Sequence, residues 1–392
     1  MRKHGSRVFT LLLALCLTLS LAQGMALAAE KTITIGTGVQ EHPTAQVTVQ
    51  WNDGWFAGDA TEYRHDLAVA AMALSAAAYT DQGTSAQKAL EAFGFEKIGS
   101  HNYRSSAESS GQTAYTFAVK SVKDQNGKSV KLVAVIIRGT GVYTEWAGNL
   151  NVGSGSEHEG FAQARDELMD NLEKYLAEAG VTGRAKFLVT GHSRGGAAAN
   201  LTAARLMDSK RADQKDVYAY TFAAPAVSTE AKTEGYENIF NIIGESDLVT
   251  QVPLAQWGYR RYGVDRLLPA AGGENFAEQF AAMEEQYKAL TGRSYAVCQD
   301  AGTVEKLTDT LYQLAPTVSG PNMAMLSALL QGDMEELSAL VEGNALAALL
   351  MGRTAIRASS ELTPLIRREA AGLAAAHCMA GYYSWLAACP EV

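Results

Sequence analysis

Hydrophobic and polar positions change their period along the chain, and each period predicts a type of element. Residues 31–50 alternate apolar and polar side chains, which is typical of short, half-buried strands. Residues 65–79, "HDLAVAAMALSAAAY", predict an amphipathic helix from their spacing and alanine content. Further helices are predicted at 86–93, 159–179 and 194–207, and further strands at 113–119, 131–138, 186–190, 217–222 and 238–243.

Strands and helices alternate through this part of the chain, which predicts an α/β fold with a mostly parallel central sheet flanked by helices. The strand segments "LVAVII" and "FLVT" are continuously apolar, as strands buried on both faces are. Between the strands at 113–119 and 131–138 lies "DQNGK", whose central Asn-Gly predicts a hairpin.

From about residue 275 to residue 373, strand patterns vanish and helical periodicity takes over. This predicts a large helical insertion, either a cap or a helical subdomain that packs on the core. We therefore expect four parts along the chain: a signal peptide at 1–28, an α/β core at 29–272, the helical insertion at 273–373 and a C-terminal core segment at 374–392.

The first residues have the pattern of a secretory signal peptide. A basic start is followed by an apolar run at 8–21 and by "ALA" at 26–28, a small-x-small cleavage site, so we expect a secreted chain that begins near Ala29. A retained membrane anchor is the alternative, although the run is short for a membrane span. No later segment is long and apolar enough to span a bilayer.

Charge and cysteine content narrow the class of protein further. Removal of residues 1–28 takes the formal net charge from −9 to −12, and basic residues are scattered, so a nucleic-acid partner is not expected.

Cys378 and Cys389 lie roughly 16 Å apart on one predicted helix, too far to bridge. A disulfide would therefore join Cys298 to one of them, and three buried free thiols are the alternative. No metal-ligand spacing is present, and no cofactor is expected.

A serine between small residues marks the corner at "GHSRGG", residues 191–196, which fits G-x-S-x-G. The motif is short, but it needs a strand before it and a helix after it, and both are predicted here. Such a corner strains the backbone and requires small neighbours, while the helix N-terminus favours developing negative charge. Ser193 is therefore the candidate nucleophile, and an ordinary strand-to-helix corner is the alternative.

A nucleophilic serine needs a base and an orienting acid, which follow in the order acid, histidine on this type of fold. Of the seven histidines, His377 alone follows Ser193, which makes it the candidate base; a structural histidine is the alternative. Asp247 follows a predicted strand and precedes an apolar step and a proline, so it is the preferred acid, with Glu245 and Asp265 as alternatives.

Two backbone donors are expected to stabilise an oxyanion. One is the amide of Arg194, the residue after the candidate nucleophile. The other is Thr140, in the "RGTG" turn at 138–141 that ends a buried strand. A plain glycine turn is the alternative interpretation of that segment.

These ordered motifs resemble the class 3 lipase family of α/β-hydrolases. The resemblance runs from about residue 65 to residue 262 and resumes at the terminal histidine segment. Two departures stand out: arginine occupies position 194, where many members have leucine, and 130 residues separate Asp247 from His377. The matching segments are "IIRGT" at 136–140, "HEGF" at 158–161, "GHSRGG" at 191–196, "FAAP" at 222–225 and "DLVTQVP" at 247–253.

The resemblance implies that Ser193, Asp247 and His377 form a catalytic triad, with Thr140 and the Arg194 amide as oxyanion donors. It also implies that His158 is architectural.

The activity implied is that of a secreted serine hydrolase that cleaves carboxylic esters, with lipids as substrates, in the manner of a triacylglycerol lipase or a phospholipase A1. Transient contact with a lipid surface follows from that substrate class and from the apolar insertion. The alternatives are an acyltransferase or serine peptidase with the same site, or a non-catalytic secreted binding protein.

Overall fold

The computed structural model describes residues 28–104, 112–140, 152–298, 302–314 and 353–390. The strands are β1 (Ala29–Gly36), β2 (Thr44–Trp51), β3 (Glu96–His101), β4 (Tyr115–Lys123), β5 (Ser129–Ile137), β6 (Ala185–His192), β7 (Val217–Phe222), β8 (Ile239–Ile243) and β9 (Val264–Leu267). The helices are α1 (His65–Ala77), α2 (Thr84–Ala92), α3 (Glu159–Glu178), α4 (Arg194–Asp208), α5 (Phe276–Thr291), α6 (Thr303–Leu314), α7 (Arg353–His377) and α8 (Met379–Ala388).

Strands β3 to β9 form one seven-stranded sheet in sequence order. β3, β4 and β5 pair antiparallel, and β5 to β9 pair parallel. The predicted mostly parallel sheet with flanking helices is therefore confirmed. The predicted "DQNGK" hairpin joins β4 to β5, where the Asp124 carboxylate accepts hydrogen bonds from the amides of Asn126 and Lys128, both at 2.9 Å.

The sequence pattern missed β3 and β9, the two strands at the edges of the sheet. β3 reads "EKIGSH" with half-exposed side chains, and β9 has four residues that alternate between half-buried and exposed. Edge strands bury little surface, so their hydrophobic pattern is weak.

Each face of the sheet is covered by its own hydrophobic core. α3 and α4 cover one face, and α1, α8 and the separate β1–β2 hairpin cover the other. The prediction that α1 is amphipathic is wrong, because residues 70–77 are all buried. α1 lies between β6 on one side and the β1–β2 hairpin and α8 on the other, so it has almost no solvent-facing side.

The described parts of the predicted insertion, 273–373, contain three helices, α5, α6 and most of α7, together with non-helical chain at 273–275 and 292–298. Residues 299–301 and 315–352 of that insertion lie outside the described residues, as do residues 1–27 of the predicted signal peptide. The domain boundaries therefore stay predictions. Across the described ranges, no helix is both long and apolar enough to cross a membrane.

Cys298, Cys378 and Cys389 lie within the described ranges, and no disulfide joins any two of them. Cys378 and Cys389 flank α8 at its two ends, as the one-helix interpretation required. Cys298 is half-buried and forms a disulfide with neither Cys378 nor Cys389, so the expected disulfide is not formed.

Candidate active site

Ser193 occupies the corner between the end of β6 and the start of α4. Its backbone has φ 58° and ψ −131°, a left-handed region that costs a non-glycine residue roughly 1–3 kcal/mol. Two main-chain hydrogen bonds hold it there: its amide donates to the carbonyl of Phe222 at 2.9 Å, and its carbonyl accepts from the amide of Ala197 at 3.0 Å. The surrounding structure thus maintains a strained serine whose side chain remains partly exposed.

The glycines around Ser193 allow backbone to pack directly against backbone. A Cβ at Gly191 would collide with the carbonyl oxygen of Gly195. A Cβ at Gly195 would lie 2.8 Å from the amide nitrogen of Gly139, closer than real Cβ atoms come. The turn that carries Gly139 and Thr140 therefore lies against the serine corner, as the oxyanion prediction requires.

Ser193, His377 and Asp247 form one hydrogen-bonded chain. The Ser193 Oγ lies 2.9 Å from Nε2 of His377. The Nδ1 of His377 lies 3.0 and 2.9 Å from the two carboxylate oxygens of Asp247. His377 is the last residue of α7, and Asp247 caps the 3₁₀ turn Leu248–Gln251 that follows β8. The fold thus brings together three side chains that are distant in sequence: His377 lies 130 positions after Asp247 and 184 positions after Ser193.

The two alternative acids make other contacts. Glu245 is exposed to solvent. Asp265 lies on β9, where it pairs with Arg261 at 2.8 Å and accepts a hydrogen bond from the Asn241 amide at 3.0 Å. Asp247 is the carboxylate that faces His377.

Asp247 is fully buried, and further donors hold its carboxylate. The amide of Val249 donates to Oδ1 at 2.9 Å, and the hydroxyl of Tyr382 donates to Oδ2 at 2.8 Å. Burial, together with the nearby Asp247 charge, raises the pKa of Tyr382 well above its usual value, so the hydroxyl remains a donor. Sequence reasoning missed Tyr382, because nothing in "GYYSWL" distinguishes it from the adjacent Tyr383.

A second histidine, His192, lies beside the His377 ring, with the ring centroids 4.9 Å apart. Its Nε2 lies 2.9 Å from the main-chain carbonyl oxygen of His377, and its Nδ1 lies 3.1 Å from the hydroxyl of Tyr79. Burial and the nearby His377 hold the pKa of His192 well below its usual value, so the ring is neutral. Sequence reasoning missed this contact too, since position 192 served there only as a variable position of the motif.

The Arg194 side chain is buried at the start of α4 and turns toward the start of α3. Its guanidinium lies over the Phe161 ring, 5.8 Å from the centroid, and donates to the carbonyl of Gly160 at 3.4 Å. The unusual arginine is thus accommodated by packing against α3. His158, which is buried just before the start of α3, stacks on Phe161 with the ring centroids 3.8 Å apart.

Thr140 is half-buried and is the last described residue before the gap at 141–151. Within the described ranges, no group of three histidine, cysteine or acidic side chains is arranged to hold a metal ion.

Residues 134–257 match the family model "Lipase (class 3)". The resemblance drawn from the motifs is therefore confirmed over that segment, which includes Ser193, Asp247 and Thr140.

Two relatives match parts of the chain. Toxin TseL of Vibrio cholerae is 37% identical over 98 residues, which are 24% of this chain and 14% of the toxin. Secreted mono- and diacylglycerol lipase 1 of Fusarium solani is 30% identical over 145 residues, which are 33% of this chain and 42% of the lipase. The match thus spans less than half the length of either relative.

Among solved structures, the triacylglyceride lipase of Rhizomucor miehei has a TM-score of 0.40 at 19% identity and covers 52% of this chain and 79% of that one. The lipase of Rhizopus microsporus var. chinensis has a TM-score of 0.38 at 20% identity and covers 53% of this chain and 76% of that one.

Proposed function

We propose, from the class 3 lipase match over residues 134–257, that this protein is a secreted serine hydrolase that cleaves the carboxylic esters of lipids. One observation carries the proposal: the unbroken hydrogen-bonded chain from the Ser193 Oγ through the His377 ring to Asp247. A serine, an imidazole and a buried carboxylate in this order are the parts that acyl transfer to water needs.

In the first half of the proposed reaction, the Ser193 Oγ attacks the ester carbonyl carbon while His377 Nε2 takes the hydroxyl proton. Asp247 accepts the hydrogen bond from Nδ1, which fixes the ring tautomer and stabilises the imidazolium that forms. The tetrahedral intermediate then collapses, the alcohol leaves with the proton from His377, and the acyl group stays on Ser193.

The amides of Thr140 and Arg194 are the proposed donors to the oxyanion. The close backbone contact between Gly139 and Gly195 supports this assignment, because it sets the two donor segments side by side. Loss of one such donor typically lowers turnover by about 10²–10³-fold.

In the second half, water enters where the alcohol left. His377 takes a proton from that water, the resulting hydroxide attacks the acyl-serine, and the carboxylic acid leaves as Ser193 recovers its proton. All proton transfers are assigned to His377, so the proposed mechanism uses neither metal nor cofactor.

Lipid esters are the proposed substrates, whether as glycerides, as in a triacylglycerol lipase, or as phospholipids, as in a phospholipase A1. The name of the Fusarium relative, a secreted mono- and diacylglycerol lipase, supports this class and an extracellular location. The signal-peptide pattern at 1–28 supports export as well. With a net charge of −12 after cleavage, we expect contact with lipid surfaces to be hydrophobic rather than electrostatic.

The test uses the purified chain and its Ser193→Ala variant. We expect a fluorophosphonate to label the wild type at Ser193, and the wild type to hydrolyse p-nitrophenyl esters and then glycerides or phospholipids. The variant should lose labelling and at least about 10³-fold of the activity. Hydrolysis of amides alone would indicate a peptidase, and transfer to alcohols in preference to water an acyltransferase. Absence of both labelling and turnover in the wild type would indicate a binding protein.

A further inference from the structure

One residue of the motif region has a contact that the proposed mechanism does not use. His192 ends β6, directly before Ser193, and its Nε2 meets the main-chain carbonyl of His377 at 2.9 Å. We propose that His192 is a positioning residue, which holds the backbone of His377 and thereby sets the distance between the His377 ring and Ser193. This inference rests on the proposed function.

The hydrogen bonds determine the tautomer of His192. A carbonyl oxygen can only accept, so Nε2 must carry the proton that it donates to His377. In the neutral ring, Nδ1 is then an acceptor, and the hydroxyl of Tyr79 lies 3.1 Å from it and 3.3 Å from the main-chain carbonyl oxygen of His192, so its proton can bond to either. The His377 carbonyl thus fixes the tautomer, and Tyr79, just past the end of α1, contacts both the ring and the backbone of His192.

The contact lies where the proposed base most needs support. His377 is the last residue of α7, and the last carbonyls of a helix have no partner within the helix. The donor that satisfies this carbonyl belongs to the residue next to the nucleophile, on a strand buried along its whole length. The segments that carry the nucleophile and the base are therefore joined by one hydrogen bond besides that between their own side chains.

A neutral imidazole suits this place better than a permanent cation. The two rings are 4.9 Å apart, and His377 becomes positively charged when it takes the serine proton. A second charge at position 192 would oppose that step, whereas burial and the neighbouring His377 depress the pKa of His192 and keep it neutral.

The decisive experiment compares His192→Gln with His192→Asn. The glutamine amide can place an N–H near the position of the ring Nε2, while the shorter asparagine cannot reach the His377 carbonyl. We expect kcat of the glutamine variant to stay within about fivefold of the wild type, and kcat of the asparagine variant to fall roughly 10–100-fold, since small displacements of reacting groups have effects of that size. KM should change less than about twofold in both, and fluorophosphonate labelling rates should follow kcat.

Ser75→Ala is the matched control. It removes the Ser75 hydroxyl on α1, which donates to the carbonyl of Ala71 at 2.9 Å and lies 2.8 Å from the hydroxyl of Thr190 on β6, two residues before His192. Its kcat should match the wild type. Equal kcat values for the glutamine and asparagine variants would overturn the inference.

Tyr79→Phe covers the case in which neither His192 variant folds, because it keeps His192 and removes only the hydroxyl that contacts Nδ1 and the carbonyl of His192. Here a kcat several-fold below that of the wild type supports the inference, and an unchanged kcat overturns it. A wild type that neither hydrolyses esters nor takes the label would instead refute the proposed function itself.

Discussion

Asp247 lies fully buried, and each of its carboxylate oxygens is within hydrogen-bond distance of two donors. The Nδ1 of His377 reaches both oxygens, the Val249 amide adds a bond to Oδ1, and the Tyr382 hydroxyl adds one to Oδ2. A buried charge is tolerated only when it is paired and hydrogen-bonded, and these donors meet that requirement. They also fix the plane of the carboxylate, and with it the orientation of the His377 ring.

Replacement of Tyr382 by phenylalanine removes one donor from Asp247 and the acceptor of the Gly244 amide, and it leaves the ring volume in place. A hydrogen bond to a charged group is worth roughly 1.5–3 kcal/mol, so we expect kcat on a p-nitrophenyl ester to fall about tenfold with little change in KM. Tyr383→Phe is the control, because Tyr383 is equally buried on α8 and makes no bond to Asp247. Equal kcat values for the two variants would show that Tyr382 does not support the acid.

At the scale of elements, two turns and one helix end meet at the carboxyl edge of the parallel strands. The backbone of Ile137, Arg138 and Gly139, at the end of β5 and in the turn after it, packs directly against Gly195 in the corner between β6 and α4. The N-terminal hairpin supports the chain that follows the end of α7. The carbonyl of Thr37 accepts a hydrogen bond from the amide of Ala380, on α8, at 3.0 Å. Gly38 faces the Cβ of Cys378, directly after His377. Segments from both ends of the described chain therefore hold the candidate base.

Gly195→Ala tests the packing of the corner against the β5 turn. The new methyl group would lie 2.7 Å from the carbonyl carbon of Arg138 and 2.8 Å from the amide nitrogen of Gly139, and backbone cannot move aside as a flexible side chain can. We expect a loss of about 1–3 kcal/mol in the free energy of unfolding and a fall in kcat of more than tenfold. Gly183→Ala, which meets no atom within 4 Å, should change neither. Wild-type kcat in the Gly195 variant would contradict the proposed role of this contact.

Across the whole molecule, the two ends of the parallel strands carry different features. The candidate catalytic groups lie at the carboxyl ends, while the amino ends of β6 and β7 carry a buried ion pair. There, Asp216 pairs with Arg184 at 2.6 Å and with the buried Lys186 at 3.1 Å. Burial alone would raise the pKa of Asp216, but the hydrogen bonds from Arg184 and Lys186 outweigh it and hold that pKa below its usual value.

Asp216→Asn should lower stability without an effect on turnover. It leaves the Lys186 ammonium buried without its carboxylate, which typically costs about 3–5 kcal/mol. Because the folded-state pKa of Asp216 is depressed, its contribution is full above its unfolded pKa of about 3.9 and is lost as pH falls through the folded pKa.

Urea unfolding at pH 7 and pH 3 checks this prediction, with the exposed Asp213→Asn as control. The difference in the free energy of unfolding between wild type and Asp216→Asn should be large at pH 7 and smaller at pH 3. At a temperature where both proteins are folded, their kcat values should be equal. A difference in the free energy of unfolding that does not depend on pH would argue against a contribution of this ion pair to stability.

The sequence by itself determined the elements that have a strong hydrophobic pattern. α3 and α4 lie where their helical spacing predicted them, and β5 to β8 lie where short, largely apolar runs predicted buried strands. The corner at Ser193 was also readable, since small residues there are a local backbone requirement. Chain order was enough to single out His377, and the position after β8 was enough to prefer Asp247.

Only the tertiary structure decided what each of these residues touches. It placed α1 between two layers, where a helix has no polar face, and it added the edge strands β3 and β9. It also brought Tyr382 to Asp247 and His192 to the carbonyl of His377. Periodicity reports the burial of an element, whereas a hydrogen bond requires two atoms to meet within about 3 Å across a long loop of chain, and only the packed fold sets that distance.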